Sequence, residues 1–366
     1  MNNPAKHFPV AKAVLIIFVA ALGLVFVVHR VRVRAQTTKR DPALAYKLAD
    51  GPFAVETIDQ TLHDTKRNKS LPLRIIVPKS GGPFPVIVFS HGAGGSGQNY
   101  FGLTGFWASH GYVVIQPTHN DSLELRRENG EPLPSGPRQL VEEYLFNYQD
   151  WIDRVRDITL VLDSLGDLEK RLPELKGKLD QKRIGVGGHS YGAFTTQMIG
   201  GVTLDIPGRP KAESFGDARP RALLLLSPQG KSANGLTEHS WQTMTRPTMS
   251  MSGSNDSGVM GQLASWRRDP FTYSPAGDKY LVWIDGAFHM SFTGALAQPQ
   301  STSGPRGMLF SRMGQGTDQK AVFDYVKVAS IAFWDAYLKD EPKAKTYLTG
   351  DTLARYSNRT VSLARK

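Results

Sequence analysis

Ile184-Gly185-Val186-Gly187-Gly188-His189-Ser190-Tyr191-Gly192-Ala193-Phe194 is the stretch whose reading decides the fold. An apolar run ends in Gly-x-Ser-x-Gly, and residues able to open a helix follow at once. A serine between two glycines at a strand-to-helix junction sits on a sharp turn that lifts its hydroxyl clear of the backbone. Large side chains at 188 and 192 would collide with the neighbouring strand and helix. Outward from this turn, short apolar runs alternate with helical stretches. That alternation predicts an α/β fold with a mostly parallel central sheet and helices on both faces. Strands are expected over 54–58, 73–77, 86–89, 112–116, 183–186, 222–226, 248–252 and 279–284. Helices are expected over 100–110, 138–165 and 319–338, with loops over 125–138 and 297–318.

The chain has 366 residues and a net charge of +11, which at first sight suggests a nucleic-acid partner. The location of the charge argues otherwise. Residues 1–40 carry +7 with no acidic residue, and the last fourteen carry +4. Residues 41–352 are therefore neutral overall, and a basic nucleic-acid-binding stripe has no support. This division predicts three parts: an N-terminal segment 1–40, a central domain 41–350 and a basic C-terminal tail 351–366. No cysteine is present, which excludes disulfides, thiolate zinc sites, a cysteine nucleophile and a lipidated N-terminal cysteine.

Residues 13–28 are uninterruptedly apolar and follow Lys6 and Lys12. As a helix they would span about 24 Å, between a long signal-peptide core and a short membrane anchor. Val33-Arg34-Ala35 offers small residues for cleavage, whereas Arg30, Arg32 and Arg34 favour a retained anchor. The expectation is an exported protein, periplasmic or secreted, or one attached to a membrane through this segment.

A serine hydroxyl needs a base, an acid and an oxyanion hole to act as a nucleophile. Ser190 is the candidate nucleophile. Asp256 is the candidate acid, because 248–252 reads as a strand and sheet-borne sites gather at strand carboxyl ends. Asp121 competes for that role, and an Asn-Asp turn is the alternative reading of Asp256. His289 is the candidate base, in a loop whose Gly286 and Ala287 let it fold back over the sheet. The chain order Ser–Asp–His suits this fold. The backbone N–H groups of Ala93, in Ser90-His91-Gly92-Ala93-Gly94-Gly95, and of Tyr191 are the candidate oxyanion donors. A phosphate-cradling reading of the glycine loop lacks the Lys-Ser/Thr ending. Tyr100, His119 and Phe288 are candidate substrate contacts, and Trp107, Phe194 and Met290 are further candidates to line an acyl pocket. His119 with Asp121 hints at a metal, but no third ligand is apparent, so no metal or organic cofactor is expected.

Taken together, these motifs resemble the α/β-hydrolase superfamily. The likeness is to dienelactone-hydrolase-like and platelet-activating-factor-acetylhydrolase-like esterases. It rests on Phe89 to Gly95, on Asp180 and Arg183 before Gly188-His189-Ser190-Tyr191-Gly192-Ala193, on Gly253 with Asp256, and on Gly286-Ala287-Phe288-His289. Residues 59–64 and 71–74 near the start, and Ala332-Phe333-Trp334-Asp335-Ala336-Tyr337-Leu338 near the end, are similar too. The resemblance covers about residues 45–348. It implies hydrolysis of a small-molecule or polymeric carboxylic ester through an acyl-enzyme. Dienelactone hydrolases proper use a cysteine nucleophile, which this chain lacks. A peptidase or acyltransferase with the same machinery, or a non-catalytic binding module on the same fold, are the alternatives. Oligomeric state is not encoded in any motif found.

Overall fold

The computed structural model describes residues 40–297 and 317–366. Strand β1 (Val55–Asp64) turns directly into β2 (Lys69–Pro78). The turn is set by Asp64, whose carboxylate accepts the N–H groups of Lys66 and Arg67 at 2.9 and 3.2 Å. Asn68 closes it in the left-handed region at φ 48°, a conformation that asparagine tolerates.

The remaining strands of the main sheet are β3 (Phe84–Ser90), β4 (Val113–Pro117), β5 (Leu179–His189), β6 (Pro220–Leu226), β7 (Thr248–Asn255), β8 (Lys279–Phe288) and β9 (Val361–Arg365). Their order across the sheet is β1-β2-β4-β3-β5-β6-β7-β8-β9. The six strands from β4 to β8 run parallel, and β1, β2 and β9 close the two edges with antiparallel pairing.

Helices cover both faces, which explains why the inner strands read as continuous apolar runs. All of β3 and β4 is buried. Val86 and Val88 join the core under α3 (Tyr148–Asp163) and α4 (Tyr191–Gly200). Ile87 and Phe89, one residue out of phase, join the opposite core under α1 (Phe101–Ser109) and α5 (Gln319–Leu338). The carboxyl ends of β3, β5, β7 and β8 therefore share one rim, where their following loops can meet.

Three expectations are corrected. The helix expected over 138–165 is two helices, α2 (Pro137–Phe146) and α3, broken at Asn147. The Asn147 side chain leaves the helical pattern to accept the N–H groups of Gln149 and Asp150, capping α3. The loop expected over 125–138 contains most of a short helix, Leu123–Glu128, capped by Ser122. The segment 351–366 is not a separate tail. It forms a helix, Thr352–Tyr356, and then β9, which pairs from Tyr280↔Arg365 to Ile284↔Val361. Leu353, Tyr356 and Val361 are buried, while Arg355, Arg359 and Arg365 between them made the segment look like a solvated end.

The apolar run 13–28 and most of the expected loop 297–318 lie outside the described residues. Among the described residues no helix is long and apolar enough to cross a membrane.

Candidate active site

Strand β5 delivers Ser190 at its carboxyl end with φ 55° and ψ −119°. A non-glycine residue holds that backbone only under constraint. The flanking glycines supply it by close approach. A Cβ on Gly188 would lie 2.2 Å from the Gly192 carbonyl oxygen, and one on Gly192 would lie 1.9 Å from that of Ser90. The Ser190 N–H donates to the Leu226 carbonyl at 2.9 Å, locking the turn to β6. Tyr191 opens α4, so its N–H belongs to the first turn, whose amides have no acceptor within the helix.

Asp256 follows β7 and is fully buried. Its Oδ1 accepts from His289 Nδ1 at 2.9 Å, and its Oδ2 accepts from the Ser252 hydroxyl at 2.9 Å. The Ser227 hydroxyl lies 2.7 Å from the same imidazole nitrogen and also bonds the carboxylate. Arg267 Nε sits 2.9 Å from Asp256 Oδ1. Burial opposes the carboxylate charge, but Arg267 and then the His289 hydrogen bond outweigh it and hold the group well below the ordinary carboxylate range. Asp256 is thus a fixed anion facing the Nδ1 edge of His289.

Ser190, His289 and Ala93 line one cavity of about 610 Å³. Tyr100, Tyr144, Met290 and Phe323 also line it. Among its described lining residues there is no lysine, arginine, aspartate or glutamate.

The other sequence candidates divide. Tyr100 lies on the cavity, as does Met290. Trp107 and Phe194 are fully buried core residues. Phe288 does not line this cavity; it ends β8, and its N–H donates to Ser291 Oγ at 2.9 Å. His119 is corrected most clearly. It is fully buried, its Nε2 lies 2.9 Å from Ser90 Oγ, and its Nδ1 lies 2.8 Å from Asp157 Oδ2. Ser90, His119 and Asp157 have the residue types of a nucleophile, base and acid, yet all three are sealed from solvent. Lys69 and Arg67 each lie 2.8 Å from the Asp157 carboxylate, so the set braces the glycine loop from behind.

Asp121, the competing acid, is also placed elsewhere. It pairs with Arg154 at 2.7 and 2.8 Å and accepts the Gly94 N–H at 3.0 Å. Arg154 in turn donates to the His91 carbonyl at 2.8 Å and lies 4.0 Å above the Tyr191 ring. One buried guanidinium therefore ties the loop of Ala93 to the turn of Ser190. Sequence reasoning missed Arg154 and Arg267. Both look like ordinary charges, one on an amphipathic helix and one in Trp266-Arg267-Arg268-Asp269. Their role is visible only from the acids they neutralise.

The sheet order, the left-handed serine turn after β5 and an acid–histidine pair after β7 and β8 occur together. The chain belongs to the α/β-hydrolase superfamily. Residues 45–130 of this α/β hydrolase match the chlorophyllase family model. The sequence is 23% identical over 293 residues to platelet-activating factor acetylhydrolase of Cavia porcellus, covering 71% of this chain and 59% of that protein. The same enzyme of Canis lupus familiaris is 29% identical over 307 residues, covering 75% and 60%. Chlorophyllase type 0 of Chenopodium album is 30% identical over 142 residues, covering 37% and 35%. The matches thus span between about a third and three fifths of these relatives' own lengths. The acetylhydrolase likeness agrees with the expected resemblance, and the chlorophyllase likeness is an addition to it. Members of these families are carboxylic-ester hydrolases.

Proposed function

We propose that this chain is a serine hydrolase of carboxylic esters, with Ser190, His289 and Asp256 as its triad. His289 takes the Ser190 proton as the hydroxyl oxygen attacks the ester carbonyl. The backbone N–H groups of Ala93 and Tyr191 hold the resulting oxyanion, each such donor contributing about 3 kcal/mol in the transition state. Asp256 keeps the imidazole proton on Nδ1 and stabilises the imidazolium. His289 then protonates the departing alcohol. Water, deprotonated by the same imidazole, releases the acid from the acyl-serine. The observation that carries the reading is the bonded Asp256–His289 pair opening onto the same cavity as Ser190 on its strained turn.

The cavity supports an uncharged, apolar acyl group. Among the described residues its lining carries no lysine, arginine, aspartate or glutamate, and Val259 on it is exposed, as are Met260 and Leu263 a few residues on. A lipid ester fits this surface, with any ionic headgroup left in solvent. The names of the acetylhydrolase relatives point the same way.

A fluorophosphonate probe tests the nucleophile directly: the adduct is expected on Ser190. Turnover of p-nitrophenyl esters from acetate to laurate, of a phospholipid, of a polyester film and of a peptide tests the substrate class. Peptide cleavage without ester turnover would overturn the ester reading. Ester turnover only in the presence of an acceptor alcohol would favour acyl transfer. We also propose that residues 13–28 direct export or anchoring. N-terminal sequencing of the cellular protein checks this, with a start near Gln36 indicating cleavage.

A further inference from the structure

Tyr100 opens α1 with φ 70°, a left-handed backbone that an aromatic residue rarely takes. The ring that this conformation delivers is fully used. The Gly92 N–H donates to Tyr100 Oη at 3.0 Å, and the same oxygen lies 3.0 Å from His189 Nδ1. His189 Nε2 lies 2.9 Å from the His289 carbonyl oxygen. A carbonyl only accepts, so Nε2 carries the His189 proton. Nδ1 of the neutral ring is then an acceptor, and the Tyr100 hydroxyl must donate to it. Every proton along the path is fixed by this sequence of donors and acceptors.

Packing holds the path in place. The His189 ring lies 4.8 Å from the His289 ring and 5.7 Å from the Tyr100 ring, and Tyr100 rests edge-on against Phe89 at 5.1 Å. Gly92 keeps the approach uncrowded: a Cβ there would press on both groups, at 3.2 Å from Tyr100 Oη and 3.3 Å from His189 Nδ1. Both rings are buried. Burial pushes the His189 imidazole down to about 3 and the Tyr100 phenol up to about 12, so both stay neutral over the working range.

The three groups joined are the backbone beside Ala93, the residue before Ser190 and the backbone of His289 itself. We infer that Tyr100 and His189 form a neutral strut that fixes the spacing of oxyanion loop, nucleophile and base, and so act as positioning residues. The inference rests on the reaction proposed above, and it predicts that the two residues act as a unit rather than as independent contacts.

The test uses the whole protein and four forms: wild type, Tyr100→Phe, His189→Asn and the double variant. Two rates are measured for each: p-nitrophenyl ester turnover, and covalent labelling of Ser190 by a fluorophosphonate. Tyr100→Phe is expected to lower kcat and the labelling rate together, by about 10- to 100-fold, with KM within about threefold. The double variant is expected to be no slower than the worse single variant. Nitrogen-15 spectra of wild-type imidazoles are expected to show His189 as the Nε2–H tautomer, a readout that needs no variant to fold. A Tyr100→Phe enzyme with wild-type rates, losses that multiply in the double variant, or an Nδ1–H tautomer at His189 would each overturn the strut. Wild-type protein that labels at Ser190 but hydrolyses no ester would defeat the ester reading alone. The labelling rates would then still decide the strut.

Discussion

Single side chains at the rim carry opposite burdens, and Arg267 shows how. It is 3% exposed and its guanidinium contacts the Asp256 carboxylate while donating to the Ser227 and Pro228 carbonyls, both at 3.0 Å. Arg267→Met would leave Asp256 as a buried anion with fewer partners. The expected cost is about 3 kcal/mol in urea unfolding, with kcat reduced at least about tenfold. An unchanged unfolding midpoint would show that the pair is dispensable. Ser190→Ala is expected to keep the fold and lose at least about a thousandfold in ester turnover, measured beside far-ultraviolet dichroism. Legibility at this scale was uneven. The places of Ser190, Asp256 and His289 at strand ends could be read because each stands in a glycine-rich setting. Arg154, Arg267 and the bracing role of His119 could not, because a buried charge is defined by partners distant in sequence: Asp121 for one, Asp256 for another, Ser90 and Asp157 for the third.

Elements set which of these side chains can meet. The strands and α5 were readable from apolar runs and period, and α5 runs over the expected 319–338 with Asp318 accepting the Ala321 N–H at its start. What sequence pattern misjudged were places where a polar side chain replaces a helix bond, as at Asn147, or where charge conceals alternation, as in β9. Strand β9 has a testable weight. It is the antiparallel cover on β8, whose end leads into the His289 turn. Deleting residues 359–366 is expected to lower the thermal midpoint by about 5 °C or more and to promote association through the bared edge. Calorimetry and light scattering measure both. Helix α5 contributes Phe323 to the cavity wall, where its ring fills the space against Gly294, 2.7 Å from where a Cβ there would lie. Phe323→Ala is expected to raise kcat/KM for octanoate relative to acetate esters by about fivefold or more. A flat chain-length profile would place the acyl group elsewhere.

For the molecule as a whole, the buried imidazoles dictate how it meets acid. Burial, with Arg154 adding for two of them, pushes His91 down to about 4 and His119 well below its ordinary value; burial pushes His189 to about 3. Their unfolded counterparts take up protons near pH 6.5. As pH falls from 7 to 5 the unfolded chain gains protons that the native state refuses, so stability declines, by about 1 kcal/mol per unit for each such ring. Below about pH 4 the depressed carboxyls of Asp121 and Asp256 add to the loss. Thermal midpoints measured at pH 7, 6 and 5 are expected to drop steadily, and equal midpoints would contradict the burial of these imidazoles in their neutral form. The same architecture separates two kinds of residue. The proposed reacting residues Ser190, Asp256 and His289 each directly follow a strand of the sheet, whereas Leu140 reaches the cavity from α2 and Val259 from the segment beyond β7. A combinatorial library confined to those two positions is expected to shift ester specificity at little thermal cost.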